Sequence, residues 1–296
     1  MILSPCDLNV KTDKKAIFAG CAKDCAESIA DVLRNIDSMA ELFGEVAFVF
    51  VENDSRDETS KILERWGKGK DRFILVNMDG LDFCPVRTVR LAIARNNYME
   101  IIRDSGLKNF DYLFVLDMDG ANGEPLDVGG VIKSLRFLEE NDRNAGCFAN
   151  QAGVYYDMWA LRHRDMCPAD VWEEVLDYVV ANNCSDQVAF DRTFRKRICS
   201  LPIDSSAIEV ESAFGGLGIY RLSYALQSRY VGQKQKTIIE NKVRHDVYWQ
   251  LCEHVHFHRM ITAMGGRLYI HPWLVNGKTH DMSFPPSAFR SMIFRH

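Results

Sequence analysis

Apolar residues in the first 120 positions come in short unbroken runs rather than in alternation. Ala16–Gly20, Glu45–Val51, Arg72–Asn77 and Tyr112–Leu116 each read as a strand buried on both faces. Between them the apolar positions recur at helical spacing, which predicts helices over about Cys25–Leu42, Thr59–Trp66 and Arg87–Ser105. Continuous apolar strands alternating with helices imply a mostly parallel sheet covered on both faces, with ligands bound at the carboxyl ends of its strands. The second half is less regular. It predicts a helix over Val128–Glu140, a strand around Gly146–Asn150, a helix over Ala169–Asn182, and a mixture of glycines and β-formers over Glu211–Tyr220. A helix over Val247–Met264 and a last strand over Arg267–Ile270 follow. Residues 1–14 read as an extension and residues 281–296, with Pro285-Pro286, as a wrapping tail. No repeat, low-complexity tract or Pro/Gly/Ser linker interrupts the chain, so one domain over 1–296 is the simplest organisation.

Composition narrows the classes. A chain of 296 residues with 17 Phe, 10 Tyr and 5 Trp has ample core material, which excludes a disordered tail and a disulfide-stapled mini-protein. A net charge of −5 argues against nucleic acid as a partner. The apolar runs are strand-sized, well under the roughly 20 residues of a membrane span. The basic, aromatic stretch Phe284–His296 leaves membrane contact at most peripheral. Met1–Lys15 has no apolar segment followed by a cleavage site, and the nine cysteines include no C-x-x-C pair. Reduced thiols and a cytoplasmic location are therefore expected.

The strongest chemical signal is Asp117-Met118-Asp119, directly after a buried strand. Two carboxylates two positions apart in an extended or turning segment can face one cleft and grip a hard cation together with substrate phosphates. The same residues also suit a plain strand-ending turn. The second strand ends in Glu52-Asn53-Asp54-Ser55-Arg56-Asp57-Glu58-Thr59, where acidic and amide groups could bind a base or ribose, or cap the next helix. Ala94-Arg95-Asn96 places a cation on the helix before the Asp-x-Asp strand, where Arg95 could meet a diphosphate or form an ordinary ion pair.

Taken in order, these residues resemble those of GT-A-fold glycosyltransferases, particularly the broad family 2 group, over roughly residues 15 to 280. That family ends its second strand in Asp-Asp-Gly-Ser-x-Asp-x-Thr; here Ser55, Asp57 and Thr59 keep register, while Glu52 and Asn53 replace the leading aspartates. The resemblance implies a GT-A-type, Rossmann-like α/β fold and transfer of a sugar from a nucleoside-diphosphate sugar (UDP- or GDP-linked) to a hydroxyl of a glycan or glycoconjugate. It implies Mn2+ or Mg2+ held by Asp117, Asp119 and His280, with His271 the competing histidine. The donor would be contacted by Glu52, Asp54, Asp79, Arg95 and Asp117. Phe214-Gly215-Gly216-Leu217 resembles the glycine-rich acceptor strand, and Glu253-His254 stands where the family has Glu-Asp. Glu253 is thereby the expected general base, and Gly215, Gly216 and His254 acceptor contacts.

Tyr155-Tyr156-Asp157-Met158-Trp159-Ala160-Leu161-Arg162 is similar to a stretch in fungal capsule mannosyltransferases. Tyr156 and Trp159 could stack on acceptor sugar, or be core aromatics. His254, His256 and His258 also invite a zinc reading, but the three cannot converge from one helix and no His-Glu-x-x-His is present. Two alternatives stand beside glycosyl transfer. One is a non-catalytic carbohydrate-binding scaffold, motivated by the replaced aspartates. The other is a sugar-nucleotide pyrophosphorylase, for which Gly20-Cys21-Ala22-Lys23-Asp24 offers a single glycine where a phosphate loop needs several.

Overall fold

A computed structural model describes residues 12–240, 243–279 and 293–294. In chain order the elements are β1 (Thr12–Ala22), α1 (Ile29–Ala40), β2 (Phe43–Glu52), α2 (Thr59–Gly67), β3 (Phe73–Asn77), α3 (Arg87–Asp104), β4 (Tyr112–Asp117), α4 (Val128–Glu139) and β5 (Asn144–Gly153). There follow α5 (Val171–Asn182), α6 (Asp186–Arg192), β6 (Ile208–Val210), β7 (Leu217–Arg221), α7 (Leu222–Ala225), β8 (Gln233–Glu240), β9 (Val243–Gln250), α8 (Glu253–Ala263) and β10 (Arg267–Thr279).

An eight-stranded sheet in the order β3-β2-β1-β4-β7-β5-β10-β6 forms the centre. β1 to β4, β5 and β10 run one way, and β7 and β6 run against them. The sheet is therefore mostly parallel, as the unbroken apolar runs predict. Successive residues of a strand point to opposite faces, so each run feeds two cores. Phe18, Phe48, Phe50 and Phe114 meet α1, α2 and α4 on one face. Ile17, Val49, Val51 and Val115 meet α3, α5 and α8 on the other. Helix α1 shows why such segments fold as they do: Ile29, Val32, Leu33, Ile36 and Met39 recur at helical spacing, and all five are buried.

Three expectations change. The helix predicted from Val247 begins only at Glu253; residues 247–250 instead close an antiparallel hairpin in which Trp249 faces Lys234 and Tyr248 faces Gln235. Cross-strand pairing of β-branched and aromatic residues outweighs a spacing compatible with helix. The last strand runs to Thr279 rather than Ile270, because register shifts between Ile270 and Val275 carry it past Pro272 and keep it beside β5. The Glu211–Tyr220 stretch resolves into the end of a turn and β7, with β6 lying just before it.

The strand order reverses between β1 and β4, whose carboxyl ends meet in register at Cys21 and Asp117. In open α/β sheets this switch point is where a cleft forms.

Candidate active site

A cleft of about 360 Å³ opens at that point. Asp117, Met118 and Asp119 all line it. Met118 is also buried in the core beneath the strand end, close against Gly20, so the carboxylates on either side of it turn toward the opening. The Asp117 backbone N–H donates to the Gly216 carbonyl (2.9 Å), which pins the strand end to the glycine turn. Asp119 is exposed and caps the short turn that follows, one oxygen accepting from the Ala121 N–H at 3.1 Å.

Arg95 is the electrostatic hub. Only 3% exposed, it lies between two acids: its Nη2 donates to Asp117 Oδ1 at 3.0 Å and its Nε to Glu253 Oε1 at 3.1 Å. Its guanidinium carbon sits 5.2 Å from the Phe214 ring centre. The other Asp117 oxygen accepts from the Tyr156 hydroxyl at 3.4 Å. One arginine does not balance the site. Burial pushes the Asp117 carboxyl up to about 7 against the pull of Arg95, and Asp119, Asp157 and Glu253 push the same way. Asp157 is likewise raised by burial, although the N–H groups of Gly215 and Ala160 donate to it.

Glu253 starts α8, is 4% exposed and lines the cleft beside Cys252. His254 is stacked on Phe214, ring centres 3.8 Å apart, and burial drives its pKa well below the ordinary histidine value, so it is neutral. His258 is held by the Ser212 and Tyr220 hydroxyls (2.8 and 2.9 Å), and His256 is partly exposed on the same helix.

The structure separates the expected donor residues. Arg95 and Asp117 are in the cleft. Glu52 is buried at the end of β2, where its carboxylate accepts from the Ser55 N–H at 2.8 Å. Asp54 has φ +50° and receives the N–H groups of Gly80 (2.6 Å) and Asp82 (3.0 Å), which hold its carboxyl below the usual range. Asp79 is exposed on the neighbouring loop and is not among the lining residues. On the acceptor side Tyr156, Trp159 and His254 line the cleft, and Gly215 and Gly216 form the turn behind it, both at positive φ. A Cβ on Gly215 would stand 2.4 Å from the Ala149 carbonyl, so only glycine fits.

Other lining residues escape a motif reading. Lys23 is paired with Asp82 at 2.8 Å, Asn53 is buried at the end of β2, and Arg87 and Arg90 stand on the first turn of α3. Two of the arginines had a signal: 87 and 90 are three apart, neighbours on one face of a helix.

His280 lies outside the described residues. His271 is fully buried, held by the Ser134 hydroxyl at 2.8 Å and stacked on Trp273 away from the cleft. Among the described residues no group of three His, Cys, Asp or Glu side chains is arranged to hold a metal ion. Asp117 and Asp119 nevertheless fit one: two hard oxygen donors face a cleft with surplus negative charge, which suits a cation that takes its remaining ligands from phosphates and water.

No protein-family model and no curated protein matches the chain. Several solved structures are distantly similar. One is S. aureus TarS 1-349 (11% identity, 87% of this chain and 57% of that chain, TM-score 0.44). A second is the mannosyltransferase PcManGT from Pyrobaculum calidifontis in complex with GDP-Man and Mn2+ (13% identity, 91% and 58%, TM-score 0.47). A third is glucosyl-3-phosphoglycerate synthase from Mycobacterium tuberculosis in complex with UDP (12% identity, 96% and 78%, TM-score 0.44). The chain spans a little under three fifths of the length of the first two. At this distance nothing those proteins bind or make passes to this one.

No described helix is long and apolar enough to cross a membrane, and the eight described cysteines are free.

Proposed function

We propose that this chain is a GT-A-type glycosyltransferase that moves a sugar from a UDP- or GDP-sugar to an acceptor hydroxyl, with Mn2+ or Mg2+ bound at Asp117 and Asp119. The observation that carries the reading is the meeting, in one cleft at the sheet's switch point, of that carboxylate pair with Glu253, bridged by a buried arginine. A bound divalent ion would supply Lewis-acid neutralisation of the departing diphosphate. Arg87 and Arg90, which line the cleft, offer the protein's own countercharge to the same group. Tyr156 and Trp159 give aromatic faces to the sugars. Glu253 takes the acceptor proton if the reaction inverts; its orientation is set by the Arg95 Nε–H, and its place at the start of α8 turns it toward the cleft. In a retaining reaction Glu253 would orient the acceptor instead.

The test is a panel of UDP- and GDP-sugars assayed with and without Mn2+ for thermal shift and for donor turnover, since a ligand bound to the folded state stabilises by RT ln(1 + [L]/Kd). Metal-dependent stabilisation by one donor, with release of nucleoside diphosphate, is expected. Absence of both across the panel overturns the reading. One observation favours a binding-only scaffold: Glu52 and Asp54 are engaged by backbone N–H groups of loops at the same end of the sheet. Donor-induced stabilisation without turnover of any acceptor would support that alternative.

A further inference from the structure

Behind the cleft wall lie three buried amide side chains that no chemical motif singles out: Asn122 (3% exposed), Gln151 (2%) and Asn276 (1%). They come from the turn after β4, from β5 and from β10. Each is bonded to another and to the cleft's own backbone. Asn276 Nδ2 donates to Asn122 Oδ1 and to the Gly215 carbonyl, both at 2.7 Å. Gln151 Nε2 donates to Asn276 Oδ1 (3.0 Å) and to the same Gly215 carbonyl (2.9 Å). Asn122 Nδ2 donates to the carbonyls of Asp117 (2.8 Å) and Gly216 (2.7 Å).

Every donor and acceptor of the trio is matched, which is what makes a buried polar network a rigid specifier rather than a liability. The glycines at 215 and 216 make it possible, since positive φ at both turns their carbonyls back toward the amides. The network then reaches three cleft residues by separate routes. Asp117 is held at its carbonyl by Asn122 and at its N–H by Gly216. The Tyr156 N–H donates to Gln151 Oε1 at 3.2 Å, and that tyrosine's hydroxyl meets Asp117. Asp157 accepts from the N–H of Gly215, whose carbonyl two of the amides hold.

We propose that Asn122, Gln151 and Asn276 are positioning residues that hold Asp117, Tyr156 and Asp157 in register with one another, so that the metal- and donor-binding side of the cleft depends on amides that touch no ligand. The proposal rests on the transfer reading above. Outer partners of metal ligands typically alter affinity or activity about 10–100-fold when removed.

The experiment uses the full chain with Asn276→Leu and, should that fail to fold, Asn276→Asp, which keeps the shape but loses the Nδ2 donor. Mn2+ affinity is titrated with the metal alone, and amide hydrogen exchange is followed by mass spectrometry. Expected are Mn2+ binding about 10-fold or more weaker and faster exchange confined to peptides covering 117–123, 151–157 and 215–217, with the rest of the sheet as protected as in the wild type. A folded variant whose Mn2+ affinity and exchange both stay within about twofold of the wild type overturns the proposal, as does failure of both variants to fold. If the wild type itself neither binds Mn2+ nor consumes any donor, the transfer reading falls separately. Exchange in those three segments then decides the positioning role by itself.

Discussion

The two sides of the cleft mouth use the same residue types for opposite ends. On the β2–β3 side, the carboxylates are engaged in local structure. Glu52 holds the Ser55 N–H, Asp54 holds two N–H groups of the next loop, and Asp82 is paired with Lys23. Each of these carboxylates has a local partner, and the loops are latched. On the β4–α8 side, Asp117, Asp119, Asp157 and Glu253 crowd around one buried arginine, and the Asp117 carboxyl is driven up to about 7. The Nη1 of that arginine has no partner. A folded protein keeps such an imbalance where a ligand restores it. The comparison thus assigns loop architecture to the first region and chemistry to the second.

The sharpest way to break this contrast is Glu253→Gln. The change keeps shape and the Arg95 contact but removes the carboxylate proposed to accept a proton, and general-base assistance is worth about 10²–10⁴-fold. Turnover should fall by that order while donor affinity, measured by thermal shift, stays level. Near-normal turnover would remove Glu253 from the base role and leave the second region without its proton acceptor.

How much of this was legible beforehand depended on whether the partner was local. β4 ends where its apolar run ends, and Asp117 and Asp119 face the cleft because Met118 between them is apolar and must go inside. That follows from period-two alternation alone. The engagement of Asp54 could not be read, because its partners, the N–H groups of Gly80 and Asp82, lie 26 and 28 residues on and are brought near by the β2–β3 pairing. Arg95 was legible as a cation on a helix, but its direction depends on Glu253, 158 residues away. The amides behind the wall are harder still: Asn and Gln carry no periodic signal, and their worth comes from mutual satisfaction. Residues 247–250 read as helix for the same reason, since their strand forms only by pairing with residues 233–236.

Stability against pH gives a second, smaller contrast. His258, on α8, is bonded to Ser212 and to Tyr220 of β7, and burial lowers its pKa from 6.5 to about 3. The unfolded chain therefore takes up a proton below pH 6.5 while the folded chain does not. Its contribution is flat above about pH 6.5 and falls as the pH drops, by about 1.4 kcal/mol per unit, until about pH 3. His271, also lowered to about 3 by burial, acts in the same sense from the opposite face of the sheet. Urea midpoints measured from pH 7 to pH 4 should show a shallower slope in His258→Gln than in the wild type, by about that increment. An unchanged slope would mean that His258 titrates normally.

The closest comparison of the two regions pairs Asp119→Asn with Asp54→Asn. Asp119 is exposed at the cleft and has one oxygen on a short turn, so losing its charge should weaken Mn2+-dependent nucleotide binding about 10-fold with little change in Tm. Asp54 should behave in reverse. Asparagine tolerates its positive φ and keeps one acceptor, but the new NH2 faces a backbone N–H that loses its partner. Thermal shift on the apo chain should therefore fall by a few degrees, while Mn2+-nucleotide affinity stays within about threefold of the wild type. Collapse of nucleotide binding in Asp54→Asn, with the apo Tm retained, would mean that this carboxylate meets the ligand directly. The matched, latched side of the cleft would then belong to the site as fully as the crowded one.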